Sequence, residues 1–175
     1  ALNELEEFVS VYPKSEFAGE AKELLVNVLA NSSNYREAME LVNAMPARSE
    51  TVKRIYPKIL YGRSVELVND LQLLQAESLL NELVASPYNA DQLPYAYFWK
   101  GEIAYRKGDF DSAVHYLSTY MRTPVSYGEV NPKNARYTLG YSNLRQEDFA
   151  AALKYFEQIT TTVSATSAPV DADAF

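Results

Sequence analysis

The side chains that most often catalyse reactions are few in this sequence and stand far apart. There is no cysteine, which excludes disulfides and thiolate sites, and a single histidine, His115, leaves little room for a catalytic triad or a histidine-rich zinc site. His115 is predicted to face solvent. Two acidic pairs, Asp109/Asp111 and Glu147/Asp148, precede predicted helices. Carboxylates there cap free amides and favour the helix dipole. The sequence therefore predicts no enzyme, metal site or cofactor.

Tyrosine is the residue type that points to binding. The chain has 14 tyrosines, against 7 phenylalanines and 1 tryptophan. Tyrosine combines a broad apolar face with a hydroxyl group, and with arginine it is enriched at binding hot spots. Four arginines could contact an acidic peptide or simply remain solvated: Arg106, Arg122, Arg136 and Arg145.

Composition limits the partners. The 175 residues are 47% apolar and 22% charged, which is typical of an ordered globular chain. The net charge of -7 disfavours a nucleic-acid partner, which selects for a basic surface. No apolar run approaches the roughly 18 residues of a membrane span. We therefore expect no nucleic acid and no membrane insertion.

One motif recurs along the whole chain: an alanine, a large apolar residue four positions later, and another three positions after that. The alanines are Ala1, Ala38, Ala76, Ala113 and Ala152, spaced by 37, 38, 37 and 39 residues. A large apolar residue also precedes the last four by three positions. These offsets place the residues on one face of a helix. The invariant alanine predicts a close crossing with another helix.

A second helix is predicted before each alanine. Gly101 and Gly140 lie 12 residues before Ala113 and Ala152, inside amphipathic stretches. Glycine costs about 1 kcal/mol in a helix relative to alanine, so we expect the partner helix to pass close to its backbone. Short polar turns separate the two helices of each period.

The turn before the Ala38 motif carries a further signal. Asn34 followed by Glu37 predicts a capping box at the start of a helix. Each period is thus predicted to be helix, tight turn, helix.

These residues resemble the tetratricopeptide repeat family, whose signature includes Leu-Gly and later Ala-x3-Phe. Leu139-Gly140 followed by Ala152–Phe156 is the closest match, and Gly101–Ala113, closing near Pro124, is similar. The resemblance implies an all-α fold, a right-handed superhelical solenoid of stacked antiparallel helix pairs. The stretch 96–105 also resembles repeats of bacterial outer-membrane and cell-envelope lipoproteins, which implies a periplasmic or outer-membrane-associated location.

Two copies depart from this pattern. Val26 occupies the glycine position of the Ala38 copy. Gly62 lies two residues too far upstream in the Ala76 copy, which predicts a longer first helix or a bulge.

The chain divides into predicted elements as follows. Helices are expected near 1–11, 15–31, 34–45, 49–69, 72–86, 91–107, 109–122, 132–146 and 148–161. About four repeats are expected, at 15–46, 49–87, 91–124 and 132–161, after the second helix of an earlier repeat (1–13). The polar stretch Thr160–Ser167 is expected to be a loop, and 168–175, with Pro169, to start a further repeat. We expect a fragment of a longer array.

In this family the concave groove binds peptides or partner proteins, and its lining can be estimated by counting back from each alanine. The predicted partner-binding residues are Tyr61, Tyr95, Phe98, Glu102, Tyr105, Arg106, Tyr137, Tyr141 and Arg145. Further inner-face positions include Asn27, Asn31, Lys58, Asn134 and Leu144. Any of the aromatic residues could instead fill the core, because helix-spaced apolar stripes normally do so; Trp99 and Tyr116 are assigned to packing. The long connection 123–133 is either functional or only a spacer.

Three functions remain open. The first is a scaffold that binds a partner protein or an extended peptide in the groove. The second is a purely structural spacer within a longer repeat protein. The third is a regulatory array attached to a catalytic domain outside this chain.

Overall fold

The chain folds into helices joined by short turns. A computed structural model describes residues 2–166, with side chains through residue 160. Within that part there are no β-strands, and the helices are α1 Leu2–Val11, α2 Ala18–Asn31, α3 Tyr35–Asn43, α4 Glu50–Asn69, α5 Leu73–Ala85, α6 Leu93–Arg106, α7 Phe110–Tyr120, α8 Pro132–Arg145 and α9 Phe149–Thr166. The predicted all-α class is confirmed. Ala1 and the predicted further repeat at 168–175 lie outside the described residues.

The chain forms two compact units, Ala1–Ala96 (unit 1) and Tyr97–Phe175 (unit 2). In unit 1 each helix from α1 to α4 packs against the next one, and α2 also packs against α4. In unit 2 α7 packs against α8 and α8 against α9.

The recurring alanines lie in the core. Ala38, Ala76 and Ala113 are 0% exposed and Ala152 is 3% exposed. In the first three of these copies the apolar residue four positions later is also buried, at 0–1% exposed. A side chain larger than a methyl group would not fit such a position without moving its neighbours. The close crossing predicted from the alanine spacing is therefore confirmed.

Two helix glycines meet a side chain from the partner helix. A Cβ atom added at Gly101 would lie 2.5 Å from Cγ of Leu117, and one at Gly140 would lie 2.6 Å from Cε1 of Phe156. Both distances are far shorter than a van der Waals contact of about 3.5–4.0 Å. The glycines thus allow α7 and α9 to approach the backbones of α6 and α8, as predicted.

Gly62 serves a different contact from the one its spacing suggested. Its missing Cβ would lie 2.3 Å from the ring of Tyr35 in α3, which precedes α4. The place 12 residues before Ala76 is taken by Ser64, which is 1% exposed and donates its hydroxyl proton to the carbonyl of Leu60 at 2.6 Å. The longer first helix is observed, because α4 has 20 residues where α2, α6 and α8 have 14.

The turns inside the four helix pairs are built alike. Five residues before each buried alanine stands a residue with positive φ: Ser33 (63°), Leu71 (60°), Gly108 (79°) and Glu147 (64°). The amide of the following residue in each case donates to a carbonyl five positions back, at 2.8–2.9 Å. These are the features of a Schellman motif, which satisfies carbonyls at a helix end. Only one of the four positions has the glycine that this conformation favours.

This turn geometry predicts that replacing leucine by glycine has opposite effects on stability at two equally exposed positions. Leu71 is 75% exposed and left-handed, whereas Leu74 is 74% exposed inside α5. Leu71→Gly should stabilise the protein by about 0.5 kcal/mol, because relief of about 1–2 kcal/mol of strain exceeds the entropic cost of glycine. Leu74→Gly should destabilise it by about 1 kcal/mol. Urea unfolding of both variants measures the difference, and equal effects would contradict the assignment of the turn.

Three local predictions are wrong. The capping box does not form, because the side-chain NH₂ group of Asn34 donates to Ser32 Oγ at 3.2 Å and no side chain caps α3. Helix α2 begins at Ala18 rather than near residue 15, since residues 12–18 form hydrogen-bonded turns. The expected loop at Thr160–Ser167 is helical as far as Thr166. Threonine costs at most about 0.7 kcal/mol per residue in a helix, and no glycine or proline interrupts this stretch.

Candidate functional site

The predicted inner-face residues of unit 1 contact one another. The ring centroids of Tyr61 and Tyr95 are 5.2 Å apart. Lys58 donates to the side-chain oxygen of Asn31 at 2.8 Å, so α4 and α2 meet through two of these positions. Tyr61 and Tyr95 are the two predicted partner-binding residues that lie in unit 1.

In unit 2 the predicted residues line a cleft, called here the α6–α8 cleft. Its volume is about 160 Å³, and its walls include the predicted residues Glu102, Arg106 and Tyr137. Glu102 and Arg106 are one helical turn apart on α6, and therefore share a face. Phe98, which was also predicted to bind, is a further lining residue but is buried. The other lining residues were not predicted to bind: Trp99, Glu129, Asn134 and Thr138. For Asn134 the sequence predicts a position on the inner face, but not a role in binding.

The loop before α8 closes one side of this cleft. Val130 is 2% exposed and exchanges two backbone hydrogen bonds with Tyr127, at 2.8 and 3.1 Å. The side-chain oxygen of Asn131 caps α8 by accepting from the amide of Asn134 at 2.9 Å, while its NH₂ group donates to the carbonyl of Gly128 at 3.0 Å. These bonds hold Glu129 at the cleft. The long connection 123–133 thus contributes Glu129 to the lining of the cleft.

Glu102 is the least exposed of the three charged residues that line the cleft. Thr138 donates its hydroxyl proton to Glu102 Oε1 at 2.6 Å. Burial raises the pKa of Glu102, the hydrogen bond from Thr138 and the charge of Arg106 lower it, and the charge of Glu129 raises it. Because burial is the largest of these effects, the pKa lies above the usual value for glutamate. The ionised carboxylate is therefore poorly compensated within the folded chain.

We expect Glu102→Gln to stabilise the free protein at neutral pH. Glutamine keeps an oxygen that accepts from Thr138 and removes the buried charge. Since the folded pKa is raised, wild-type stability falls as pH rises from the ordinary glutamate pKa of about 4.3 through the folded value. The advantage of the variant should shrink towards pH 4. Urea unfolding at pH 7.5 and pH 4 tests this, with the exposed Glu147→Gln as the charge-matched control; equal stabilities at pH 7.5 would contradict it.

One residue that lines the cleft, Trp99, has a buried polar group. Trp99 is 4% exposed, as its assignment to packing predicted. Its indole N–H is buried and has no hydrogen-bond partner among the described residues. Such buried donors normally find a partner, and leaving one unpaired costs about 1–3 kcal/mol.

Three predicted tyrosines form what we call the tyrosine patch: Tyr105, Tyr137 and Tyr141. The ring centroids of Tyr137 and Tyr141 are 4.7 Å apart, and a hydrogen bond between the two side chains raises the pKa of Tyr137. Tyr141 also packs edge-on against Phe156 at 5.2 Å, and Tyr105 lies 5.8 Å from Phe110. Tyr137 is 55% exposed, whereas Tyr105 and Tyr141 are half-buried. Tyr137 is therefore the member of the patch that a partner can reach most easily.

Other predicted residues lie outside the cleft or beneath its surface. Phe98 is a core residue, 2% exposed, and packs against Tyr120 with ring centroids 5.4 Å apart. Phe98 thus packs in the core and also lines the cleft, and its predicted role in binding stays a prediction. Arg145 is exposed at the end of α8 and does not line the cleft. His115 is exposed, as predicted, with its ring 5.2 Å from that of Tyr116.

The acidic pairs act largely as predicted. The carboxylate of Asp109 accepts from the amide of Ser112 at 3.1 Å, and that of Asp148 from the amide of Ala151 at 3.0 Å. In the part of the chain that the structure describes, no three histidine, cysteine or acidic residues are grouped as metal ligands would be. No helix there is long and apolar enough to cross a membrane.

Comparison with the profiles of known protein families finds no match to this chain, and comparison with curated proteins finds none either.

Proposed function

We propose that the chain is a protein-interaction module, a solenoid of stacked helix pairs of the tetratricopeptide type that binds an extended segment of a partner protein. Repetition supports this architecture: the same buried alanine and the same left-handed turn recur every 37–39 residues. Contacts between first helices also support it. The predicted inner-face residues Asn31 and Lys58 join α2 to α4, and the predicted inner-face residue Glu102 joins α6 to α8 by accepting from Thr138. The envelope location stays a prediction.

The observation that carries the proposed function is the α6–α8 cleft. It combines an exposed aromatic ring, Tyr137, with a poorly compensated carboxylate, Glu102, and an unpartnered buried donor on Trp99. Groups of this kind gain from a ligand that supplies the missing contacts. A spacer segment has no need to leave them unsatisfied, so the cleft favours binding over the purely structural alternative.

We expect Tyr137→Ala to weaken peptide binding at least tenfold. The probes are peptides selected on the wild-type protein from a random dodecapeptide phage library, with affinities measured by fluorescence anisotropy. Exposed aromatic residues of binding surfaces often contribute 2 kcal/mol or more to binding. The substitution should leave the melting temperature nearly unchanged, because more than half of the side chain is already exposed.

The matched control is Tyr12→Ala. Tyr12 is 58% exposed, against 55% for Tyr137, and its ring also lies beside one other aromatic ring, that of Phe8 at 5.6 Å. This variant should bind the selected peptides as wild type does. Equal affinities for wild type and Tyr137→Ala would place binding elsewhere, and failure to select any peptide would favour the spacer alternative.

A further inference from the structure

The α6–α8 cleft has an excess of negative charge. Its lining contains two carboxylates, Glu102 and Glu129, and one guanidinium group, Arg106. Arg106 and Glu129 are exposed, so each can reach solvent, whereas Glu102 is half-buried. Among the described residues Thr138 is the one hydrogen-bond donor to Glu102. An ionised carboxylate offers about four acceptor sites, so Glu102 can accept hydrogen bonds beyond the one from Thr138.

The same cleft is lined by aromatic side chains as well as by these carboxylates. Tyr137, which is 55% exposed, and Trp99, which is 4% exposed, both line it. Cations are attracted to the faces of such rings within about 6 Å of the ring centroid. The cleft therefore contains both kinds of group that attract a cation: a carboxylate and an aromatic ring.

In unit 1 a carboxylate and an aromatic ring that lie close together are occupied by an arginine side chain. The guanidinium of Arg48 lies 3.9 Å from the centroid of the Tyr56 ring and 3.8 Å from Glu82 Oε1. Arg54 likewise lies 4.3 Å from the ring centroid of Tyr88, whose hydroxyl donates to Glu50 at 2.7 Å. At Tyr56 one arginine side chain contacts both the ring and a carboxylate, and at Tyr88 the arginine contacts the ring while the ring's hydroxyl contacts the carboxylate.

The size of the cleft limits its occupant. Its volume of about 160 Å³ lies below the 300–1,000 Å³ typical of small-molecule sites. A cofactor or folded domain would not enter it, whereas one long side chain would. Lysine and arginine have long apolar stems and charged ends, which suit a narrow cleft with a carboxylate inside it.

We propose that the α6–α8 cleft binds one lysine or arginine side chain of the partner segment, with the cationic end at Glu102 and Glu129 and the stem against Tyr137. This inference rests on the proposed function and specifies the partner: an extended segment with a basic anchor residue. A charge-assisted contact to Glu102 would also compensate the carboxylate that folding leaves poorly satisfied.

Neutral analogues of the selected peptides test the anchor. Each lysine or arginine of a dodecapeptide selected on wild type is replaced in turn by norleucine or citrulline, which lack the charge but keep much of the shape. We expect one replacement to weaken binding to wild type at least tenfold. With Glu102→Gln, the same replacement should change affinity less than threefold, whereas the Glu147→Gln control should behave as wild type does.

The outcomes separate the two proposals. Peptides that require Tyr137 but bind equally well with and without their basic residues would overturn the basic anchor and leave the proposed function standing. A basic residue whose effect is the same in Glu102→Gln as in wild type would also overturn the anchor. If the library yields no binding peptide, both proposals fail. Circular dichroism and melting of Glu102→Gln confirm that the variant is folded.

Discussion

Leu117→Ala should destabilise the protein by about 3 kcal/mol, and its effect should depend on residue 101. Leu117 is 0% exposed and lies over Gly101, so its truncation leaves a cavity beside the α6 backbone. Gly101→Ala alone should cost about 1 kcal/mol, because overpacking against Leu117 outweighs the gain in helix propensity. In the double variant the added methyl group occupies space that Leu117 has vacated.

The double-mutant cycle measures this contact directly. We expect the double variant to be at least 1 kcal/mol more stable than the sum of the two single effects predicts. The control pairs Gly101→Ala with Leu80→Ala, because Leu80 holds the same place in the Ala76 motif and is also 0% exposed. That pair should be additive within about 0.5 kcal/mol. Additivity for Leu117 as well would show that the two helices do not cross at Gly101.

Tyr56 should make the protein sensitive to alkaline pH. Its side chain is 4% exposed, and its hydroxyl donates to Glu82 at 2.9 Å. Burial, the hydrogen bond to Glu82 and the charge of Glu82 raise the pKa of Tyr56 to about 12, against a lowering effect of Arg48. A raised folded pKa means that the stabilisation is complete below the unfolded value of about 10 and is lost as pH rises through about 12. The loss is at most about 2.7 kcal/mol, reduced by solvent near the hydroxyl.

Comparison with Tyr56→Phe isolates this effect from the other tyrosines. Near neutral pH the wild type should be more stable by about 1 kcal/mol, because it has the hydrogen bond to Glu82. Between pH 10 and 12 that advantage should disappear and then reverse. Urea unfolding at pH 8, 10, 11 and 12 gives the difference in free energy of unfolding. A difference that stays constant over this range would contradict the assigned pKa.

The periodic part of the fold was predictable from spacing alone. The spacing of Gly101, Ala113 and Leu117 predicts a helix pair, because two helices can approach closely only where small residues recur at matching positions. Gly62 was misassigned because spacing does not say which neighbour a glycine faces. In the folded chain Gly62 faces Tyr35 of the preceding helix, while Ser64 fills the expected place.

The positions at which helices begin and end were less predictable. Asn34 and Glu37 have the residue types of a capping box, but Asn34 pairs with Ser32 instead. Competing hydrogen bonds of nearly equal strength decide such details, and sequence patterns do not rank them. The continuation of α9 to Thr166 differs from the predicted loop for a related reason: a polar composition is typical of a loop, but nothing there breaks a helix.

The site was predictable where it is helical. Glu102, Arg106 and Tyr137 follow from counting along α6 and α8, and all three line the cleft. Glu129 could not be placed in this way, because a loop has no periodicity, although the length of the loop was a signal. Trp99 was correctly assigned to the core, but only the structure shows that its N–H lacks a partner among the described residues.

The central claim, that a partner segment binds in the α6–α8 cleft, is tested most directly by nuclear magnetic resonance. Trp99 is the one tryptophan of the chain and lines the cleft, so its indole gives a single ¹H–¹⁵N cross-peak that reports on the cleft. On titration with a selected dodecapeptide, this cross-peak and the side-chain amide of Asn134 should shift together with one dissociation constant. If both stay fixed while resonances of other surfaces move with saturation, the cleft is not the binding site.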